Sequence, residues 1–118
     1  MPSQLLAVYG TLKKGGYNNS LLSTSRYAGV ASIPGELWTN MGEKFPRASY
    51  IPKHDKVIQV ELYEVSPRIM NQLGRLEIPY SYYPLVVKTV DDTYCIMWAD
   101  VEGRNPDSSL ISSGVYTV

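Results

Sequence analysis

The chain has 118 residues, 44% of them hydrophobic, and its 11 basic and 11 acidic side chains cancel to a formal net charge of zero. That length suits one domain, residues 1–118, with a single core, and the balanced charge argues against nucleic acid or an acidic membrane surface as a partner. No apolar stretch approaches the ~20 residues that cross a bilayer, and the amino terminus lacks the features of a secretion signal. We therefore expect a cytoplasmic protein, with a monomer as the simplest assembly.

The sequence QLLAVYGTLKKGG, at residues 4–16, predicts a buried strand that runs into a tight loop at Gly10. Glycine adopts backbone angles that other residues avoid, so consecutive loop amides could form a concave site for carboxylate or phosphate oxygen. The alternative is that Gly10 only turns the chain. A nucleotide-binding P-loop is excluded, because Gly16 and Tyr17 stand where that motif requires Lys and then Ser or Thr.

Residues 17–20 are polar and precede two leucines, which predicts a short helix whose amino end faces the glycine loop. The first amides of such a helix would add to an anion site. Lys13 and Lys14 could assist it, although lysines beside a glycine-rich turn are more often solvated.

Glycine and proline recur at close intervals between residues 25 and 52, which predicts short strands separated by turns. The strand-like pieces cover residues 26–32, 36–39 and 48–51. Arg47 could pair with a substrate carboxylate, but an arginine exposed at the surface is the commoner case.

Residues 57–65 alternate between apolar and polar side chains, which predicts a strand with one buried face. Ser66 and Pro67 follow as a helix cap and a first helical residue, and the helix should end before Pro79. Its apolar stripe consists of Ile69, Leu73 and Leu76.

Residues 83–90 and 94–99 are predicted to form a hairpin around the turn at 91–93, and residues 102–118 should be mostly loop. The adjacent aspartates of that turn have no third ligand nearby in sequence, so we interpret them as turn residues. The order of elements indicates a mixed α/β (α+β) fold, with too few helices for a doubly wound sheet.

Glu77 is predicted at the carboxyl end of the helix, where the helix dipole disfavours a negative charge. Its sequence neighbours are apolar and aromatic, so we expect its pKa to be raised and regard it as a candidate functional acid. The alternative is an ordinary exposed glutamate at a helix end.

The chain offers few residues for metal or redox chemistry. Cys95 is the only cysteine and is expected to be a buried structural thiol. His54 is the only histidine and lies in a polar turn without a histidine or cysteine partner. We expect neither a metal nor any other cofactor.

Residues 8–12, VYGTL, resemble the YGTL/YGSL signature of the gamma-glutamylcyclotransferase-like family, which includes gamma-glutamylamine cyclotransferases and AIG2-like proteins. Residues 35–38 and 45–48 resemble the family's G-x-L-Y and Y/F-P-A segment, and residues 60–65 resemble its V-x-G-E-L-Y-x-V strand. The resemblance spans nearly the whole chain.

Residues 73–77, LGRLE, with Tyr83 six positions after the glutamate, resemble the family's L-D-x-x-E-G-x-P-x-x-Y motif. Three departures lie on the leaving-group side of that motif. Ile78 replaces a glycine, Pro79 comes one position early, and Leu85 stands where an arginine is frequent.

The resemblance implies a small, partly closed mixed β-barrel with flanking helices. It further implies cyclisation of a gamma-glutamyl amine or gamma-glutamyl amino acid to 5-oxoproline, with release of the free amine. Glu77 would be the catalytic acid/base, and the implied substrate-binding residues are Tyr9, Gly10, Thr11, Leu12, Pro46 and Tyr83. The alternative is a non-catalytic module on the same fold that binds a small carboxylate or serves regulation.

Overall fold

A computed structural model describes residues 3–118. Within them the chain forms seven strands, one α-helix and two short 3₁₀ turns. The strands are β1 Gln4–Val8, β2 Arg26–Thr39, β3 Pro46–Tyr50, β4 Val57–Val65, β5 Tyr82–Lys88, β6 Tyr94–Asp100 and β7 Ser109–Leu110. The helix α1 covers Pro67–Glu77, and the 3₁₀ turns cover Asn19–Leu22 and Ile78–Tyr80.

The strands form one mixed sheet in the order β3-β2-β4-β1-β6-β5, with β7 paired to β2. β1 runs parallel to β6, and the other pairs are antiparallel. β1 therefore lies inside the sheet, with β4 on one side and β6 on the other. This position explains why the apolar run at residues 5–9 reads as a buried strand.

Side chains join the two ends of this sheet and nearly close it into a barrel. The Tyr82 hydroxyl of β5 donates to the Pro46 carbonyl of β3 at 2.6 Å, and the Lys88 amide donates to the Tyr50 hydroxyl at 3.2 Å. The fold is thus the expected α+β class, a mixed sheet nearly closed into a barrel. It carries a single α-helix rather than several flanking ones, because residues 19–22 make only one 3₁₀ turn.

The prediction of separate strands on either side of Pro34 was wrong. Pro34 and Gly35 lie inside β2, at the point where β2 leaves β4 and begins to pair with β3. A Cβ atom on Gly35 would lie 2.0 Å from the Ser49 carbonyl oxygen, so the glycine allows β3 to approach. Pro34 and Gly35, which predicted a break between two strands, instead mark the point where β2 changes its neighbouring strand from β4 to β3.

Helix α1 forms where the cap residues predicted it. The Ser66 hydroxyl accepts a hydrogen bond from the Ile69 amide at 3.2 Å, and Leu73 on the apolar stripe is fully buried. Leu73 packs in a cluster that includes Leu6, Val8 and Trp98 on the sheet. β4 and the β5–β6 hairpin also form where expected. Within residues 3–118, no helix is long and apolar enough to cross a membrane.

Candidate active site

A pocket of about 190 Å³ lies where β1 ends. Its walls come from the loop after β1, from the start of β3, from the end of α1 and the following 3₁₀ turn, and from single residues of β5 and β6. The pocket brings together six of the residues that the sequence singled out: Tyr9, Gly10, Thr11, Leu12, Pro46 and Glu77.

Within residues 3–118, the pocket-lining loop after β1 leaves three backbone amides without an acceptor. Residues 10–13 form a turn in which the Lys13 amide donates to the Gly10 carbonyl at 3.0 Å. The Asn18 amide donates to the Thr11 carbonyl, and the Asn18 side chain donates to the Thr11 hydroxyl, both at 3.0 Å. The amides of Gly10, Thr11 and Leu12 donate to no acceptor within residues 3–118. Three consecutive donors are therefore available to an anionic or carbonyl oxygen.

Gly10 is required for a different reason from the one expected. Its backbone is not in the left-handed region. Instead, a Cβ atom at this position would lie 2.8 Å from Cγ of Pro46, closer than real contacts allow. Close packing of the proline ring, rather than unusual backbone angles, excludes a side chain here.

The two loop lysines point away from the pocket. Lys13 Nζ donates to the Tyr116 carbonyl at 2.9 Å, and Lys14 Nζ lies 3.6 Å from the centroid of the Tyr27 ring. Neither lysine lines the pocket, so the suggestion that they assist an anion there has no support in the geometry.

Glu77 is the last residue of α1, and its half-buried carboxyl group lines the pocket. Burial removes water from the charged form and raises the pKa to about 7, while the positive charge of Arg47 acts in the opposite direction. Among the residues that the structure describes, no hydrogen bond or ion pair is made by this carboxyl group. The expected raised pKa is confirmed, and desolvation is its main cause.

Tyr83 lies outside the pocket, and Tyr82 takes the place expected for it. Tyr83 is 43% exposed, whereas Tyr82 is buried, because neighbouring residues of a strand point to opposite faces. Ser81 has a left-handed backbone conformation at the end of the 3₁₀ turn, and β5 begins directly after it with Tyr82 on the pocket face. Spacing along the chain alone does not reveal that phase.

The buried pocket tyrosines Tyr9 and Tyr82 both donate to backbone carbonyls. The Tyr9 hydroxyl donates to the Trp98 carbonyl at 2.5 Å, and the Tyr82 hydroxyl donates to the Pro46 carbonyl at 2.6 Å. Burial raises the pKa of both phenols above the ordinary value, so both remain protonated near neutrality. Their hydroxyls hold the pocket walls together.

Arg47 is buried on β3, contrary to the expectation of a surface arginine. Its guanidinium group makes two 2.9 Å contacts with Glu43 and one 3.1 Å contact with Asp100. The arginine is thus already paired with two carboxylates, and it does not line the pocket. The Asp100 partner lies 53 positions away in sequence, which is why sequence patterns missed this cluster.

Several other pocket residues were not predicted, chiefly Phe45, Tyr80 and Trp98. Phe45 lies in the F-P segment and Tyr80 in the aromatic run after Glu77, so both had a weak signal in the sequence. Trp98 had none, because its place in the cluster with Leu6 and Val8 depends on the parallel pairing of β1 with β6.

Cys95 and His54, the residues considered for redox or metal chemistry, lie outside this pocket. Cys95 is buried, as expected, and burial raises the pKa of its thiol to about 11. Within residues 3–118, no three His, Cys, Asp or Glu side chains are close enough together to hold a metal ion.

These features define a single-helix α+β barrel with a protonatable acid and free loop amides in one pocket. The family model described as gamma-glutamyl cyclotransferase, AIG2-like, matches residues 6–118. The chain belongs to this family.

Solved structures share the fold over nearly the whole chain. An uncharacterized protein from Pyrococcus horikoshii is 28% identical, with a TM-score of 0.78 over 96% of this chain and 89% of that one. An AIG2-like protein from Mus musculus is 18% identical, with a TM-score of 0.81 over 99% of this chain and 90% of that one.

The same fold also occurs inside a larger enzyme. Allophanate hydrolase from Kluyveromyces lactis contains a region 16% identical to this chain, with a TM-score of 0.80 over 94% of this chain and 20% of that one. No functionally curated protein matches the chain.

Proposed function

We propose that the protein is a gamma-glutamylcyclotransferase-type enzyme, which converts a gamma-glutamyl amine or gamma-glutamyl amino acid to 5-oxoproline and a free amine. One observation carries the proposal. A carboxyl group with a pKa of about 7 shares a small pocket with three unpaired backbone amides. A group that titrates near neutrality can both accept and donate a proton during a reaction.

The reaction needs a ring closure within one molecule. The substrate's α-amine attacks its own γ-carbonyl carbon, a new C–N bond closes the five-membered ring, and the original amide C–N bond breaks. The α-ammonium loses two protons as it becomes the lactam N–H, and the departing nitrogen gains two as it becomes an ammonium. Glu77 accepts protons from the first nitrogen and returns them to the second.

The loop amides have two candidate partners in this scheme. They would bind the substrate's α-carboxylate, or they would donate to the γ-carbonyl oxygen as it gains negative charge. Either contact holds a flexible glutamyl chain in the ring-closing geometry. Effective molarities of about 10⁵–10⁸ M in well-oriented intramolecular reactions make such positioning a major part of catalysis.

The substrate itself supplies the nucleophile and the electrophile, so the proposed reaction requires no cofactor. Tyr82 and Tyr9 would shape the cavity, and Pro46 would keep the loop in place. We further propose that the protein acts as a cytoplasmic monomer on this small-molecule substrate.

The direct test incubates the purified protein with gamma-glutamyl amines, gamma-glutamyl amino acids and glutathione, and measures 5-oxoproline by mass spectrometry. We expect 5-oxoproline and free amine in equal amounts from at least one substrate class. The Glu77→Gln variant and a reaction without protein serve as controls. Saturable binding of these compounds without any 5-oxoproline would contradict the proposal and support a non-catalytic carboxylate-binding module.

A further inference from the structure

The outer wall of the pocket is aromatic. Phe45 and Tyr80 both line it, and their ring centroids lie 5.5 Å apart in an edge-to-face arrangement. Tyr80 is 53% exposed, and Phe45 is half-buried. Glu77 and the loop amides form other parts of the same lining, so a ligand held by the amides can extend along these two rings.

Neighbouring groups hold this wall in place before any ligand arrives. The Phe45 ring packs against Tyr82 at a centroid distance of 6.1 Å, and Arg47 Cζ lies 5.6 Å from the Phe45 centroid. Arg47 is itself fixed by its contacts with Glu43. A wall ordered in this way loses little conformational entropy when a ligand covers it.

In the described part of the chain, no residue that lines the pocket carries a positively charged side chain, and this favours a leaving group without a carboxylate. The loop amides suit one carboxylate or oxyanion at the inner end of the pocket. The nearby cations already have partners. Lys13 donates to the Tyr116 carbonyl, and Lys14 lies over the Tyr27 ring. Arg47 is paired with the carboxylates of Glu43 and Asp100. A second carboxylate, on the leaving group, would face the negative π-surfaces of the rings and the carboxyl group of Glu77.

We propose that Phe45 and Tyr80 form the leaving-group subsite, and that the enzyme prefers gamma-glutamyl amides of arylalkyl amines over gamma-glutamyl amino acids. This inference rests on the proposed function. An arylalkyl amine buries its ring against the two aromatic side chains and brings no second carboxylate. Phe45 and Tyr80 thus determine specificity, while Glu77 performs the proton transfers.

Two matched pairs of substrates test the preference. Gamma-glutamyl-phenethylamide and gamma-glutamyl-phenylalanine differ only by the carboxylate, and gamma-glutamyl-methylamide removes the ring. We expect kcat/KM for the phenethylamide to exceed that for the methylamide by roughly tenfold, the value of one good aromatic contact. It should also exceed that for gamma-glutamyl-phenylalanine, which keeps the ring but brings a second carboxylate beside Glu77. If gamma-glutamyl-phenylalanine or the methylamide is cyclised as efficiently as the phenethylamide, the subsite assignment is overturned while the proposed function stands.

Variants of the two wall residues test whether Phe45 and Tyr80 cause this substrate preference. Tyr80→Ala alters an exposed side chain, and Phe45→Leu keeps apolar volume while it removes the ring. Each should lower the phenethylamide-to-methylamide ratio of kcat/KM roughly threefold or more. Tyr94→Ala, at a 68% exposed position of β6 outside the pocket, should leave the ratio unchanged. A ratio insensitive to both wall variants overturns the inference alone. The absence of 5-oxoproline from these three substrates and from the whole panel above overturns the proposed function with it.

Discussion

Replacing Glu77 by glutamine should change the pH dependence of stability in a defined direction. In the folded chain burial raises the pKa of Glu77 from its ordinary 4.5 to about 7. Below a pH of 4.5 the carboxyl group is protonated in both the folded and the unfolded chain, so its burial does not lower the free energy of unfolding. As the pH rises toward 7, the unfolded chain releases this proton more readily, and the folded state loses stability.

The size of the effect follows from the shift. Each pH unit between the two pKa values contributes about 1.4 kcal/mol, so the full shift corresponds to roughly 3 kcal/mol. Partial exposure of the carboxyl group lets water screen some of this cost, and we expect about 2–3 kcal/mol. Glutamine does not titrate, so the variant escapes this loss. Its stability relative to the wild type should rise by that amount across the window and level off above it.

Urea denaturation of both proteins, followed by tryptophan fluorescence from about pH 4 to about pH 9, measures this difference. Glu64→Gln is the control, since Glu64 forms a surface ion pair with Arg26 outside the pocket. A difference between Glu77→Gln and the wild type that stays constant across this range would refute the argument that burial penalises the charged form.

Two further predictions test how the pocket is built. Gly10→Ala places a Cβ atom 2.8 Å from the rigid Pro46 ring and should lower the free energy of unfolding by about 1–3 kcal/mol. Gly74→Ala, inside α1, brings a Cβ atom only to an ordinary 3.5 Å from the Trp98 ring and should raise the free energy of unfolding by about 0.5–1 kcal/mol. Equal effects of the two alanines in urea denaturation would contradict the packing argument. Tyr82→Phe deletes the hydrogen bond to the Pro46 carbonyl and should cost about 1 kcal/mol in the same assay, and unchanged stability would show that this bond does not hold the barrel closed.

The elements with strong local signals could be predicted from the sequence. The alternation of apolar and polar side chains in residues 57–65 correctly predicted β4, and Ser66 with Pro67 correctly predicted the start of α1. Glu77 could be singled out because the helix end and its apolar neighbours are both sequence-local. Its raised pKa then follows from desolvation.

The features that sequence reasoning missed depend on contacts between distant segments. Arg47 is buried because Asp100 lies beside it across the closing barrel, and no local pattern encodes that pairing. Tyr82 rather than Tyr83 faces the pocket in the register that β5 takes along β6, where Tyr82 lies opposite Asp100. Pro34 and Gly35 allow β2 to change partners, although their usual meaning in a sequence is a break.

The central claim is that Glu77 transfers the protons of a cyclisation reaction, and the kcat of Glu77→Gln tests it most directly. The measurement uses the best substrate of the panel, with the folded fraction of each preparation checked by circular dichroism and Glu64→Gln as the control. We predict that kcat falls by ~10²–10⁴ while KM changes little, because glutamine cannot accept a proton and the loop amides are untouched. A folded Glu77→Gln variant that releases 5-oxoproline at the wild-type rate would contradict the account.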